Sequence, residues 1–449
     1  MNYRYTFLNK YLIPFFIALF VVSCTTTGPS GMFGKKSPHE VYGDKIKEAG
    51  LQETALGKQW FLAADQSLLY PLIVNLPYSE TGYFPADKPK ALGVRFHAKR
   101  GEKITVNLTK KPTTGFVIYL DMWEPSVTSS TTKPKLLASA DTTSASLTYP
   151  IKKDGNYVVR LQPELLKGGE YTLSITNGPS LAFPIAPNIK SNIASFWGQG
   201  RDNGTRKHEG IDIFAPKRSP LVAAADGVIT RVGEIGLGGK IIFLNPDNED
   251  YSLYYAHLDE QLVQRGQRVK TGDTIGLVGN TGNAQHTSAH LHFGIYTNSG
   301  AVDPLPFVNR VTKAPEKITA PLQNLNKWVR NNKASKVYIE PSSNANDGFV
   351  IEPNTLLKVE AATAGWYKAL LPDGSSGFIA SGNVSAATSP IRKVNIKTAQ
   401  PLLDEPNTVA ARKTTLSPGQ TVSIIAGYKD FYYVNTGDKE EGWLPKNVL

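Results

Sequence analysis

Hydrophobic residues along this chain fall mostly in short alternating runs separated by glycine, aspartate and lysine turns. Between about 48 and 180 the runs include Leu92-Gly-Val-Arg-Phe-His, Ile104-Thr-Val-Asn-Leu, Phe116-Val-Ile-Tyr-Leu, Tyr157-Val-Val-Arg-Leu and Tyr171-Thr-Leu-Ser-Ile. Successive strand side chains point to opposite faces, so this alternation predicts half-buried strands, and their close spacing predicts a β-sandwich. Further runs (Val222-Ala-Ala, Gly227-Val-Ile-Thr-Arg-Val, Ile241-Ile-Phe-Leu and Tyr251-Ser-Leu-Tyr-Tyr-Ala-His257) predict a second, glycine-rich β unit over 190–310. A lysine-rich stretch over 311–333 has little apolar periodicity and reads as a linker.

Beyond it the pattern repeats. A shift of 65 residues lays Pro341 on Pro406, Ile351 on Leu416, Pro353 on Pro418, Leu357 and Val359 on Val422 and Ile424, and Trp366 on Phe431. It also lays Gly377-Phe378-Ile379 on Gly442-Trp443-Leu444 and Val384 on Leu449. An internal repeat of this size means two copies of one small unit, here over 334–386 and 392–449. The expectation is two small β-barrels that fold separately.

The ends of the chain and its charge narrow the setting. Arg4 and Lys10 precede an apolar run from Tyr11 to Val22 that is short for a membrane span, followed by Val21-Val22-Ser23-Cys24. This order reads as a secretory signal over 1–23. It resembles the bacterial lipobox, which implies that Cys24 becomes a lipidated N-terminus; the following Thr25 implies transfer to the outer membrane. Cys24 is the only cysteine, so no intrachain disulfide can form. Residues 24–47 read as a polar tether. The formal charge of +11 suits contact with anionic polymers or lipid headgroups. No arginine-rich helix, zinc-finger spacing or nucleotide loop points to nucleic acid.

The chemistry concentrates between 208 and 292, where five of the seven histidines lie. Residues two apart on a strand share a face, so His290 and His292 of His-Leu-His-Phe point the same way. His208 and Asp212, four apart, share a face if their segment is extended, and Gly210 leaves that face bare. Imidazole and carboxylate donors suit zinc, and catalytic zinc sites use three protein ligands with a fourth position open. His208, Asp212 and one of His290 or His292 would supply that set, leaving a histidine for proton transfer or oxyanion stabilisation. Glu209 faces away in an extended strand. His286 sits in a polar loop and His97 on a strand without partners, so neither is expected to bind metal.

These motifs carry a resemblance. His208-Glu-Gly-Ile-Asp212, Ala224-Ala-Asp-Gly-Val-Ile, Gly238-Gly, Tyr255-Ala-His257-Leu, Gly266-Gln-Arg-Val-Lys-Thr-Gly-Asp, Gly276-Leu-Val-Gly-Asn-Thr-Gly and His290-Leu-His292-Phe occur together over 195–308. Together they resemble the catalytic domain of the LytM-type (M23, lysostaphin-like) zinc peptidases. The resemblance implies His208, Asp212 and His292 on zinc, and His257 and His290 as a catalytic pair. Ala289 stands where many members have proline.

The N-terminal runs, with Gly101-Glu-Lys, Leu136-Leu-Ala-Ser, Gly155-Asn-Tyr and Gly169-Glu-Tyr, resemble the pre-peptidase C-terminal domain. The repeats resemble bacterial SH3 domains. The fold class expected is therefore all-β and multidomain: a sandwich over 48–180, an antiparallel peptidase sheet, and two SH3-like barrels. The function implied is a lipid-anchored, monomeric zinc endopeptidase in the periplasm that cuts peptidoglycan stems or cross-links, with cell-wall enzymes as further partners. The alternative is a non-enzymatic wall-binding scaffold that activates an amidase. The intact ligand set and the absence of sustained heptads favour the enzyme.

Overall fold

A computed structural model describes residues 36–125, 133–143, 145–437 and 440–448. The signal segment and Cys24 lie outside the described residues. Among the described residues no helix is long and apolar enough to cross a membrane.

The sandwich is present. One sheet orders its strands Leu72–Ile73, Leu92–Ala98, Gly155–Pro163, Ile118–Glu124 and Lys135–Ser139. The facing sheet uses Tyr78–Phe84, Gly169–Pro179, Glu102–Lys111 and Ser146–Pro150. Alternation along each strand sends Val94, Phe96, Ile104, Val106, Met122, Leu161, Leu173 and Ile175 into one buried core.

The residues between these positions face outwards, and there the first sheet gains a cover of helix. Two helices, Pro38–Glu48 and Ala55–Leu69, cover the outer face of the first sheet. Residues 38–47 are thus not tether. Ser37 caps the first helix in a capping box with Glu40, and Pro38 sits in its first turn. The helices close over polar groups that would otherwise face water. Arg160 and Asp121 form a buried pair at 2.6 Å, and Arg160 Nη2 also donates to His39 Nδ1 at 3.1 Å. Trp60 Nε1 donates to the Pro163 carbonyl at 2.9 Å, and the Trp60 ring stacks on His39.

The central unit is an eight-stranded antiparallel sheet. Its order is Asn192–Ser195, Ile211–Phe214, His290–Thr297, Tyr251–Leu258, Gly239–Pro246, Gly227–Ile235 and Arg268–Val269, with Gly300–Val302 beside His290–Thr297. One face packs Ile211, Ile213, Ile242, Leu253, Tyr255, Leu291, Phe293 and Ile295 into a core. The other face carries Ile241, Tyr254 and Ala256 under Phe243 and Tyr296. The sandwich meets this unit at the Tyr251 end of its strand, through Lys152–Glu249 at 2.6 Å and Arg100–Asp250 at 3.3 Å. Gly101 lies so close to the Phe307 ring that an added Cβ would fall 2.2 Å from it.

The C-terminal repeat is a structural repeat. Ser335–Tyr338, Leu356–Thr363, Trp366–Leu370 and Ser376–Ala380 return as Gln400–Leu403, Thr421–Tyr428, Phe431–Thr436 and Glu441–Pro445. Even the β-bulge recurs, between Val359 and Ala361 in one copy and Ile424 and Ala426 in the other. The first copy starts earlier than expected, with strand Trp328–Asn331 inside the expected linker. The copies are not independent either. Leu403, Tyr428, Phe431 and Trp443 of the second share a core with Val329, Leu356 and Tyr367 of the first. The first copy in turn joins the sandwich: Thr81 and Gly82 pair with Ala362 and Ala361, making one continuous sheet.

Candidate metal centre

Strand pairing builds the site. Asp212 lies directly opposite His292, and His292 opposite Ala256, on neighbouring strands. His290, two residues from His292, shares that face, as its spacing predicts. His208 precedes the Ile211–Phe214 strand and is held by a backbone pair with Gln199, its N–H donating at 2.8 Å. His257, next to last in the Tyr251–Leu258 strand, is in a left-handed conformation (φ 63°), which non-glycine residues seldom adopt. Its N–H donates to the Gly238 carbonyl at 2.8 Å. Gly279 packs beneath it, where an added Cβ would lie 2.6 Å from the His257 carbonyl oxygen. Gly279 thus belongs to the site because its backbone must come close to His257, while an added Cβ at Gly238 would strike Tyr254 Oη.

Three donor atoms converge. His208 Nε2, Asp212 Oδ1 and His292 Nδ1 form a triangle with every edge 3.0 Å. His208 Nδ1 lies 3.0 Å from the Phe196 carbonyl, which can only accept, so this nitrogen carries the proton and Nε2 keeps its lone pair. Lone pairs crowded at such separations need a proton or a cation among them. A triangle of this size has a circumradius of about 1.7 Å, shorter than the roughly 2.0–2.2 Å bonds of zinc to nitrogen and oxygen. All three donors could therefore bind one ion together. The residues fit a zinc ion, with one side left open.

Gly210 shapes the same point. An added Cβ there would fall 2.7 Å from His292 Cε1 and 2.6 Å from the Phe293 carbonyl oxygen. Only glycine lets the His292 ring occupy its place.

His257 and His290 stand beside the triangle, their ring centroids 5.1 Å apart. His257 Nδ1 donates to the Thr281 carbonyl at 2.9 Å and His290 Nδ1 to the Ser288 carbonyl at 2.8 Å. Each imidazole therefore has its Nε2 unprotonated in the neutral form. Burial pushes His257 down to about 4, reinforced by the neighbouring His290 and His292. Burial also lowers His292, against the pull of Asp212. For Asp212 burial alone would raise the carboxyl, but the adjoining His208 and His292 imidazoles outweigh it and hold the group far below the usual carboxylate range.

All five residues singled out from the sequence meet here. Glu209 is turned away and accepts from Tyr296 Oη at 3.4 Å, while His286 and His97 are exposed. Two neighbours were not foreseen. Arg201 Nη2 donates to Asp212 Oδ2 at 2.9 Å, and Ser195 Oγ lies 3.3 Å from His208 Nδ1. Neither stands in a motif with metal-ligand spacing.

Residues 206–304 match the model of Peptidase family M23. Residues 206–304 are a peptidase family M23 domain. The chain is 40% identical over 158 residues to an uncharacterized metalloprotease of Haemophilus influenzae, covering 35% of this chain and 31% of that protein. It is 37% identical over 121 residues to the peptidoglycan DD-endopeptidase ShyC of Vibrio cholerae, covering 26% and 27%. The chain thus spans about a third of the length of these curated relatives. Among solved structures, the catalytic domain of lysostaphin from Staphylococcus simulans is 33% identical, with 27% of this chain and 92% of that one covered and a TM-score of 0.24.

Proposed function

We propose that this protein is a zinc-dependent endopeptidase that hydrolyses peptide bonds in peptidoglycan at the cell envelope. The observation that carries this reading is the 3.0 Å donor triangle with two further histidines beside it, each tied by Nδ1 to a carbonyl. The named activity of the relative from Vibrio cholerae supports the substrate class.

In this reading His208, Asp212 and His292 hold zinc. When bound, zinc polarises the scissile carbonyl and acidifies the attacking water. The chain supplies the proton traffic. His257, neutral at ordinary pH because of burial, offers Nε2 as acceptor for a proton from the attacking water. As the C–N bond breaks, the same proton is returned to the leaving amine nitrogen. His290, with its Nδ1 anchored, donates through Nε2 to the developing oxyanion when protonated.

The rest of the chain suits an enzyme that works on a polymer. Cys24 would carry the lipid and hold the protein at the periplasmic face of the outer membrane. The two C-terminal units, read as SH3-like, would bind the wall. The sandwich meets the M23 domain at the Tyr251 end of the Tyr251–Leu258 strand, the end away from His257.

Release of dye from labelled peptidoglycan, with and without a chelator, tests the reading. Chelator-sensitive release is expected. Folded, zinc-loaded protein that releases nothing would favour the scaffold that activates an amidase.

A further inference from the structure

A short hairpin just before the ligands has no part in the proton chemistry. It runs out through Gly200–Arg201 and back through Arg206–Lys207, with Asn203 left-handed (φ 57°) at its turn. It carries Arg201 to the centre. Arg201 Nη2 donates to Asp212 Oδ2 at 2.9 Å, leaving Oδ1 facing the two histidine nitrogens. The same Nη2 donates to Ser195 Oγ. Ser195 Oγ in turn donates to Gln199 Oε1 at 3.1 Å and lies 3.3 Å from His208 Nδ1, the protonated nitrogen. The hydroxyl thus accepts from Arg201, gives its proton to Gln199 and lies beside His208 Nδ1, whose proton goes to the Phe196 carbonyl.

We propose that Arg201 and Ser195 form a clasp that positions two metal ligands together, fixing Asp212 as a one-oxygen ligand and holding the His208 ring in place beside it. This rests on the reading of His208, Asp212 and His292 as zinc ligands. A carboxylate can bind a cation through either oxygen or both, and a free Asp212 could rotate between these states. Arg201 occupies Oδ2 and removes that freedom. It does so at an electrostatic cost, because a guanidinium near a dication repels it. The arrangement therefore makes sense only if orientation outweighs charge. Arg201 and Ser195 are positioning residues, since they act through Asp212 and His208.

The cost gives the test its sign. Deleting the positive charge in Arg201→Met would by itself tighten zinc, so a loss of affinity can come only from lost positioning. Zinc affinity of the full chain is measured by competition with a chromophoric chelator, and coordination by the visible spectrum of the cobalt-substituted protein. Arg201→Met is expected to weaken zinc by about 10–100-fold, the usual effect of removing a partner behind a metal ligand. Its cobalt band should also lose intensity, as a second carboxylate oxygen raises the coordination number. Arg201→Lys, which keeps one donor, should recover part of both signals, and Ser195→Ala should lose less than Arg201→Met.

Unchanged or tighter zinc binding in Arg201→Met would overturn the clasp, even if turnover fell, because Arg201 would then act on substrate. If Arg201→Met does not fold, Arg201→Lys and Ser195→Ala decide alone, and wild-type affinity in both overturns the clasp. A wild-type chain that binds zinc but cuts no peptidoglycan would remove the proposed activity and leave the clasp standing. A wild-type chain that binds no zinc would remove both.

Discussion

At the scale of single residues, the five side chains of the centre divide by which atom is tied down. His208, Asp212 and His292 bring donor atoms to one point, whereas His257 and His290 present Nε2 beside it. Replacing His208 or Asp212 by alanine should abolish zinc binding and activity together, as metal analysis and dye release would show. Replacing His290 by alanine should keep the metal and lower turnover by about 10²–10⁴-fold, the range for a lost acid–base group. Full zinc in the His208→Ala protein would refute the ligand assignment. Gly210→Ala adds no charge and removes no ligand, yet its Cβ would strike the His292 ring. Its zinc affinity should fall at least tenfold, by chelator competition, with the circular dichroism spectrum unchanged.

Four residues of the centre were legible in the sequence from spacing alone, whereas the part of His257 and the choice of His292 as ligand came from the resemblance to the M23 peptidases. His290 and His292 share a face by strand alternation, and the His-x-x-x-Asp spacing supplies the rest. Arg201 and Ser195 were not legible. They reach the ligands through a hairpin and a strand end whose meeting is set by tertiary structure, and a lone arginine among scattered basic residues carries no period.

At the scale of elements, the helices at the N-terminus show where reading by composition misleads. Ser37, Pro38 and Glu40 carry a capping box that a polar, lysine-flanked stretch conceals. What makes the helix worth forming is remote: the outward polar groups Asp121, Arg160 and Gln162 need a cover. Asp121→Ala would leave Arg160 charged and buried, and should cost about 3–5 kcal/mol in urea unfolding.

His39 adds a pH dependence. Arg160 donates to its Nδ1, and Nε2 lies 2.6 Å from Gln162 Oε1, so the ring is held neutral. Burial, then Arg160, lower its pKa against the opposing pull of Asp121 and Glu40. A histidine lowered in the fold contributes its stability above the unfolded value of about 6.5 and loses it as pH falls below that value. Hydrogen-exchange protection of Pro38–Glu48, corrected for intrinsic rates, should therefore drop between pH 7.5 and 5.5. The drop should be smaller in His39→Gln.

At the scale of the whole molecule, the expected modules are present but fused. The 65-residue repeat was legible because both copies bury the same positions: Leu357, Val359 and Ile379 return as Val422, Ile424 and Leu444. That the first copy would extend the sandwich sheet was not, since Thr81 and Gly82 pair through backbone atoms that any sequence supplies. Removing residues 321–449 should therefore do more than delete binding modules. The Tyr78–Phe84 strand would become a bare edge, and bare edges invite pairing between chains. The truncated protein should self-associate and unfold at a lower temperature, as light scattering and thermal unfolding would show. Each part thus leans on the next, with the M23 centre held at the far end of its sheet.

The central claim is that this centre cuts peptide bonds in peptidoglycan with zinc. Mass spectrometry of muropeptides from purified peptidoglycan tests it most directly, comparing zinc-loaded protein, chelated protein and His290→Ala. The account predicts fragments that have gained one water across a stem or cross-link amide with the zinc-loaded protein, none with the chelated protein, and at least about a hundredfold fewer with His290→Ala. An unchanged muropeptide profile from folded, zinc-loaded protein, or the same fragments from all three samples, would contradict it.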